Sequence, residues 1–435
     1  MADISKEPTK GIRIPSEKAK EIQKKIKSIA DFSEEIQKSS IKNISELLVI
    51  ILGGGIYLNA SDIHIEPKEK EVKIRIRIDG ILQNVATLNR EIYERLLSRI
   101  KILSGIKLNI TDRPQDGRFS VLINDFSIEN RISTLPAEYG ESIVLRILNP
   151  KNLIDLEVLG LRKDLLVLFK KEIRKPNGMI IVTGPTGSGK TTTLYAFLKK
   201  IQKPEIKIIT IEDPIEYHLK GVSQTQVNPS KGYDFATGLQ SIMRQDPDVI
   251  LVGEIRDSKT CQIAIQAALT GHLVLTTLHT NDAAGTIARL TALGADLKNI
   301  GPAINLAIAQ RLVRQVCKKC SQFKILSQKE LIKLKKELKG VSPKIEIPKI
   351  KRGLKVPQVR GCKYCNFTGY QGRVGIFETI EVDDEMELFI LKNPSVAALK
   401  KEAIRKGMIT IRQDGLIKVL KGITTLEEVE RITGE

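Results

Sequence analysis

Residues 71–78 read EVKIRIRI, with Val72, Ile74, Ile76 and Ile78 alternating with polar, mostly charged positions. Such period-two alternation predicts a strand with one buried face. Asp79-Gly80 then predicts a tight hairpin turn into a second strand over 81–88. A helix is expected over about 90–104, and two further strands over 126–134 and 142–148, separated by Pro136 and Gly140. Together these elements outline an α/β domain over 45–150. It holds the most apolar run of the chain, LLVIILGGGIYL from Leu47 to Leu58. A bilayer span needs about 20 apolar residues, so this twelve-residue run with three glycines is too short to cross one. Residues 1–44 are charged, with a helical pattern over 17–37, and read as a disordered or loosely helical arm.

The second half has a different rhythm. Asn149-Pro150 opens a linker over 151–161, followed by a helix over 163–174. Apolar strand-like runs at 179–182, 205–211, 249–252 and 273–277 alternate with helical patterns at 192–200 and 258–269. This alternation predicts a doubly wound parallel sheet. Ligands of such sheets sit beyond the carboxyl ends of the strands. Lys190, Glu212, Glu254 and His279 all fall just past such ends. Residues 383–435 are helical in pattern, with Gly407, Gly415 and Gly422 as breaks.

The first of these strands runs into Gly184, Pro185, Thr186, Gly187, Ser188, Gly189, Lys190 and Thr191, the pattern G-x-x-x-x-G-K-T, with Thr192 opening the helix. Glycines let the backbone wrap closely round phosphate oxygens with its N–H groups inward, and the helix start adds partial positive charge. Lys190 is placed to reach the β- and γ-phosphates and the Thr191 hydroxyl to ligate Mg²⁺. A chance glycine-rich turn would lack the flanking strand and helix. Glu254 ends an apolar strand beside this loop, as an acid does that holds the metal shell or orients the attacking water. Glu212 competes for the same roles, and the sequence does not divide the labour. His279 is placed to sense the γ-phosphate, whereas His272 begins the same strand and falls at the opposite edge of the sheet.

Cys317-x-x-Cys320 and Cys362-x-x-Cys365 give four thiolates, the ligand set of a closed structural Zn²⁺ site. The long spacer is expected to carry its own helix over 328–338. Cys261, within a helix, reads as a small buried hydrophobe. The formal net charge is +19, and residues 311–365 hold seventeen Lys/Arg against three acids. That points to an anionic partner, or to a Lys-rich composition without a patch. With no tryptophan and 4% aromatic residues, the chain lacks platforms for base stacking. A nucleic-acid motor is therefore the rival reading, and an inactive zinc scaffold a third. The polar N-terminus is neither signal nor transit peptide, so a cytoplasmic protein is expected, with any membrane contact peripheral.

These motifs resemble a family. GPTGSGKTTTLYAFL, TIEDPIEYHLKGVSQTQVN, RQDPDVILVGEIRD and TGHLVLTTLHTNDA are similar to the secretion and pilus-assembly ATPases, the motors of type II secretion and type IV pilus extension. The resemblance continues through ASDIHIEP, RPQDGRFS and RISTLPAEYGESIVLRIL upstream and the cysteine pairs and GITTLEEVERITG downstream. It implies a RecA-like ATPase domain over 162–435, with a zinc segment at 311–375 and a C-terminal helical part at 376–435. It implies a smaller PAS-like domain over 45–150. It implies a homohexamer using ATP, Mg²⁺ and Zn²⁺, bound to an inner-membrane platform protein and the cytoplasmic domain of a membrane adaptor. By the same resemblance Glu254 takes the Walker B position, Glu212 and Asp213 an acidic box, and His272 and His279 a histidine box. Arg113, Arg118 and Arg131 become candidates to contact nucleotide phosphates from the N-terminal domain. The first two are preferred, on the expectation that Asp116-Gly117 turns the chain between them. The four cysteines argue against the related retraction motors. Two features depart from the family pattern: about 45 residues precede the match, and Gln240 stands where relatives often carry arginine.

Overall fold

The computed structural model describes residues 11–40, 43–124, 126–150, 153–343 and 345–434. The chain divides into two compact units, Met1–Lys151 with Gly361–Gly369, and Asn152–Arg360 with Tyr370–Glu435.

The first unit is built on seven strands: β1 (Gly11–Ile14), β2 (Asp62–Pro67), β3 (Val72–Ile78), β4 (Ile81–Leu88), β5 (Gln115–Ile123), β6 (Phe126–Ala137) and β7 (Gly140–Leu148). Their order in the sheet is β1-β5-β6-β7-β2-β3-β4. The β1–β5 pair is parallel and the others antiparallel. The alternating residues Val72, Ile74 and Ile76 are fully buried, as the pattern predicts. Helices α1 (Ser16–Lys25), α2 (Ile29–Ser40), α3 (Ile44–Tyr57) and α4 (Arg90–Ser104) complete the unit. Asn89, whose side chain accepts from Ile92 N, and the left-handed Gly105 fix the ends of α4.

The apolar run 47–58 is a core helix, α3, with Leu47, Leu48, Ile51 and Leu52 fully buried. A helix apolar all round belongs inside a fold, and no described helix is long and apolar enough to cross a membrane. The expected arm is corrected by the same packing. Ile14, Ile22, Phe32 and Ile36, all within 11–40, are almost fully buried in this core. A Cβ on Gly54 would lie 2.3 Å from the Phe32 ring, so the bare backbone of α3 is what lets α2 approach. A second correction concerns Asp116-Gly117, which lies inside β5 and makes no turn.

In the second unit, β8 (Gly178–Thr183), β9 (Ile208–Glu212), β10 (Ser223–Gln226), β11 (Val249–Val252), β12 (Leu273–Leu278), β13 (Ile304–Val316) and β16 (Tyr370–Glu381) form a sheet ordered β10-β9-β11-β12-β8-β13-β16. All its pairs are parallel except β13–β16. Met179 and Ile181 of β8 face one apolar layer, Ile180 and Val182 the other. Helices therefore cover both faces, as a parallel sheet requires. One layer uses α5 (Lys163–Glu172) and α6 (Lys190–Ile201). The other uses α7 (Phe235–Met243), α8 (Ser258–Leu269), α9 (Gly285–Ala292) and α10 (Leu297–Ala303), with α12 (Asp384–Leu391) and α13 (Val396–Arg405).

The expected zinc segment at 311–375 is only partly separate, because its two ends belong to the long strands β13 and β16 of the central sheet. Between them, α11 (Gln328–Glu337) and the ribbon of β14 (Gln322–Ile325) and β15 (Lys355–Gln358) pack on α14 (Ile411–Leu420). The last helix is α15 (Leu426–Thr433). Gly415 does not break the C-terminal helices: it sits within α14, where a Cβ would lie 2.8 Å from Val429.

Replacing Gly54 by Ala should improve helix propensity by about 1 kcal/mol. The added methyl group overpacks the Phe32 contact, at a cost of about 1–3 kcal/mol. A lower midpoint in urea for Gly54→Ala, partly restored by Phe32→Leu, is the expected result.

Candidate nucleotide site

The second unit delivers its polar groups to the carboxyl rim of the sheet. Strand β8 ends at Thr183, and Gly184, Gly187 and Gly189 have φ of 149°, 79° and 88°. These values suit glycine and let the loop curl back on itself. Neighbouring β13 runs parallel to β8 with Ala309 opposite Thr183, so Gln310 follows alongside the loop. A Cβ on Gly184 would stand 2.5 Å from the Gln310 carbonyl oxygen. Gln310 Oε1 accepts from Thr193 Oγ1 at 2.7 Å, tying the first turn of α6 to β13. Lys190 Nζ donates to the carbonyls of Gly184 (2.8 Å) and Pro185 (3.2 Å). Burial lowers the Lys190 pKa, with Glu254 opposing the shift and Arg311 adding to it. Thr191 is exposed, Thr192 half-buried, and Ser188 buried.

Glu254 follows β11 and Gly253. Its carboxylate contacts Arg256 Nη2 at 2.5 Å and His279 Nε2 at 3.3 Å. The hydrogen bond that Arg256 donates to Glu254 raises the Arg256 pKa. His279 is held there by its neighbours. Thr280 N donates to Thr183 Oγ1 at 2.7 Å, and Thr277 Oγ1 donates to Gly253 O at 2.7 Å. Lys190, Glu254 and His279 thus converge, as their positions past strand ends predict. His272 does not join them: its Nδ1 lies 3.1 Å from Ala267 O at the other end of β12.

Glu212 differs from Glu254. It is 3% exposed, and its oxygens receive Thr210 Oγ1 at 2.5 Å, Gln224 Nε2 at 3.2 Å, and the Tyr195 hydroxyl. Burial raises its pKa, against the pull of these three donors. Lys190 feels Glu254 and Arg311 as its charged neighbours. Arg256 and Arg311 are site residues that the sequence reading passed over. Arg311 was hidden in the basic run 311–365, and what singles it out there is its Nη1, 3.3 Å from where a Cβ on Gly184 would stand.

In the first unit, Arg118 stands opposite Arg131, Arg131 opposite Arg146, and Arg146 opposite Asp62. Directly opposed residues share a face, so three arginines form a row across adjacent strands. Asp62 closes the row, accepting from Arg146 Nε at 3.0 Å and pairing with Arg77 at 3.4 Å. Arg113 precedes β5 and stands outside the row.

The four Sγ atoms of Cys317, Cys320, Cys362 and Cys365 lie within 4.8 Å of one another. The Cys362–Cys365 separation is 3.8 Å, and no described cysteine forms a disulfide. A tetrahedron with Zn–S bonds of about 2.3 Å has S···S edges of about 3.8 Å. Backbone N–H groups of Cys362 and Gly369 both approach Cys365 Sγ at 3.2 Å, as suits a thiolate. The donor set fits zinc. Cys261 is fully buried, and burial pushes its thiol up to about 11.

Comparison with known proteins places this geometry in context. The family described as "Type II/IV secretion system protein" matches residues 37–431. The chain is 45% identical over 395 residues to type II secretion system protein E of Dickeya dadantii, covering 90% of this chain and 76% of that protein. It is 45% identical over 396 residues to the type II secretion system ATPase E of Vibrio cholerae, with the same coverage of 90% and 76%. It is also 45% identical over 372 residues to the type IV pilus assembly ATPase PilB of Thermus thermophilus, covering 85% of this chain and 41% of that one. Among solved structures, the ATPase DotB of Legionella pneumophila shares the fold, with a TM-score of 0.64 at 23% identity over 88% of this chain and 94% of that chain. Matched from residue 37 to residue 431, and 45% identical to secretion and pilus ATPases, the chain belongs to the type II/IV secretion system protein family.

Proposed function

We propose that this chain is a Mg-dependent ATPase that works as a cytoplasmic homohexamer at the inner membrane. It powers assembly of type IV pilus or type II secretion pseudopilus subunits through a platform protein and a membrane adaptor. The convergence of Lys190, Glu254 and His279 around the phosphate loop carries this reading. The loop from Gly184 to Thr192 cradles the phosphates with its N–H groups, and Lys190 turns from its own loop carbonyls to phosphate oxygens. Mg²⁺, held by the Thr191 hydroxyl, would neutralise charge on the β- and γ-phosphates.

The two acids divide the work by environment. Glu254 shares the field of Lys190 and serves the metal side, with His279 beside it to register the γ-phosphate. Glu212, buried and with its pKa raised, suits the proton acceptor for the attacking water, since a base works best with a pKa moved toward neutrality. Of the N-terminal arginines, Arg118 and Arg131 are assigned to phosphate contact because they share the row on one sheet face. Arg113 ranks behind them. The tetracysteine cluster holds a structural zinc.

Three sets of measurements test this reading. Phosphate release from Mg-ATP should rise more steeply than protein concentration as rings assemble. Lys190→Ala should bind no nucleotide, and Glu254→Gln should bind it while losing turnover. Turnover at the parent rate in Glu254→Gln removes that residue from the reaction.

The second measurement is the pH profile. Glu212 acts as the ionised base, so kcat should fall as pH drops through its pKa, which lies above the ordinary 4.5. The acid limb should disappear from the low residual rate of Glu212→Gln. An unchanged limb in that variant assigns the proton to another group.

Third, metal analysis should find about one zinc per chain. Cys362→Ser should lower that content and the melting temperature together.

A further inference from the structure

Arg311 is a half-buried cation whose innermost nitrogen has no local justification. It follows Gln310 on β13 and flanks the start of the phosphate loop. Its Nη1 lies 3.3 Å from the position a Cβ on Gly184 would occupy. That nitrogen is buried and has no hydrogen-bond partner among the described residues. The other terminal nitrogen, Nη2, donates to Asn281 O at 3.2 Å, in the loop that carries His279. The guanidinium therefore spans the gap between the phosphate loop and the histidine loop.

Its electrostatic setting is costly. Lys190 and Arg311 are close enough for the charge of Arg311 to oppose that of Lys190. The acids that Arg311 feels are Glu378 and Asp282, and both are engaged elsewhere. Glu378 accepts from Ala283 N and Ile411 N, and Asp282 accepts from Gly285 N and pairs with Lys400. Two neighbouring cations, one with a buried donor unspent, are stabilised by an anion that both can reach. The Ser188 hydroxyl of that loop, also buried and without a hydrogen-bond partner among the described residues, is a second donor placed for the same ligand.

We infer that Arg311 is a phosphate ligand supplied within the chain, its Nη1 donating to a γ-phosphate oxygen of the nucleotide seated on Gly184–Lys190, with Nη2 anchored on Asn281. This rests on the ATPase reading above. It gives the site a cation that does not wait for a neighbouring subunit. The anchor on Asn281 would also make the histidine loop respond to the presence of the γ-phosphate.

The test compares binding of ADP and of a non-hydrolysable ATP analogue, each with Mg²⁺, to the full chain and to Arg311→Ala and Arg311→Lys. Loss of a γ-phosphate contact should weaken the analogue by about tenfold or more and leave ADP within about twofold, by analogy with a charge-assisted hydrogen bond. Turnover should fall by at least about 10², given the 10³–10⁵ that a phosphate-directed arginine supplies elsewhere. Arg311→Lys keeps the charge but not the two-pronged reach, so it should bind the analogue at an intermediate level while Asn281 loses its partner. Equal weakening of ADP and analogue, or parent-like binding and turnover in both variants, overturns the inference. Failure of the parent chain to bind either nucleotide would instead overturn the ATPase reading. An unchanged melting temperature in Arg311→Lys keeps a folding defect out of the comparison.

Discussion

The close approach of Gly184 to β13 is the constraint on which the nucleotide site depends. The Gln310 carbonyl would stand 2.5 Å from any Cβ at Gly184, so only a glycine lets the chain leave β8 there and curl toward α6. Because β8 lies between β12 and β13, the same exit sets three things at once. It aims the loop N–H groups. It brings the β12 loop against Thr183, which fixes His279. It places Gln310 and Arg311 along the loop's other flank. A side chain at Gly184 would push all three apart together, through one steric contact.

Buried charge is used here to fasten elements distant in sequence. Asp414, fully buried in α14, pairs with Arg162 at 2.9 Å and Lys418 at 2.7 Å and accepts from Phe377 N. Burial pushes its pKa up, but the two cations outweigh that and hold the carboxyl below its ordinary value. The lead-in to α5, the strand β16 and the C-terminal helices are thereby joined at one carboxylate. Removing one member would strand the others, at a typical cost of about 3–5 kcal/mol. Glu428 does the same for β13 and α15, pairing with Arg314 and Arg431, both at 2.7 Å. Among the described residues neither network includes a residue of the phosphate loop, so the charges that fasten the fold are distinct from those at the loop.

Regular, strongly patterned stretches were legible in advance. The alternation at 71–78 and the helix at 90–104 emerge with nearly the predicted bounds, because one buried face and two end signals specify each. The errors fall where long-range packing decides. Residues 11–40 look like a solvated arm by charge, yet a few apolar residues at helical spacing suffice once α3 offers a glycine surface. Asp116-Gly117 carries a turn signature, but pairing with β6 across Gln115–Ile123 overrides it. The ends of the expected zinc segment at 311–375 read as part of that segment, yet they complete the central sheet.

The sequence by itself determined the phosphate loop, the tetracysteine set, the acids and histidine past strand ends, and the kinship with secretion and pilus ATPases. These are local patterns, where spacing alone fixes the chemistry. Only the tertiary structure decided how the two acids differ, since burial and hydroxyl donors distinguish Glu212 from Glu254 while their positions in sequence look alike. It alone aligned Arg118, Arg131 and Arg146 in one row, and drew Arg311 from a basic run to the flank of Gly184. Strand register is the physical reason: a hydrogen-bonded ladder sets which residues stand side by side, and no local pattern records it.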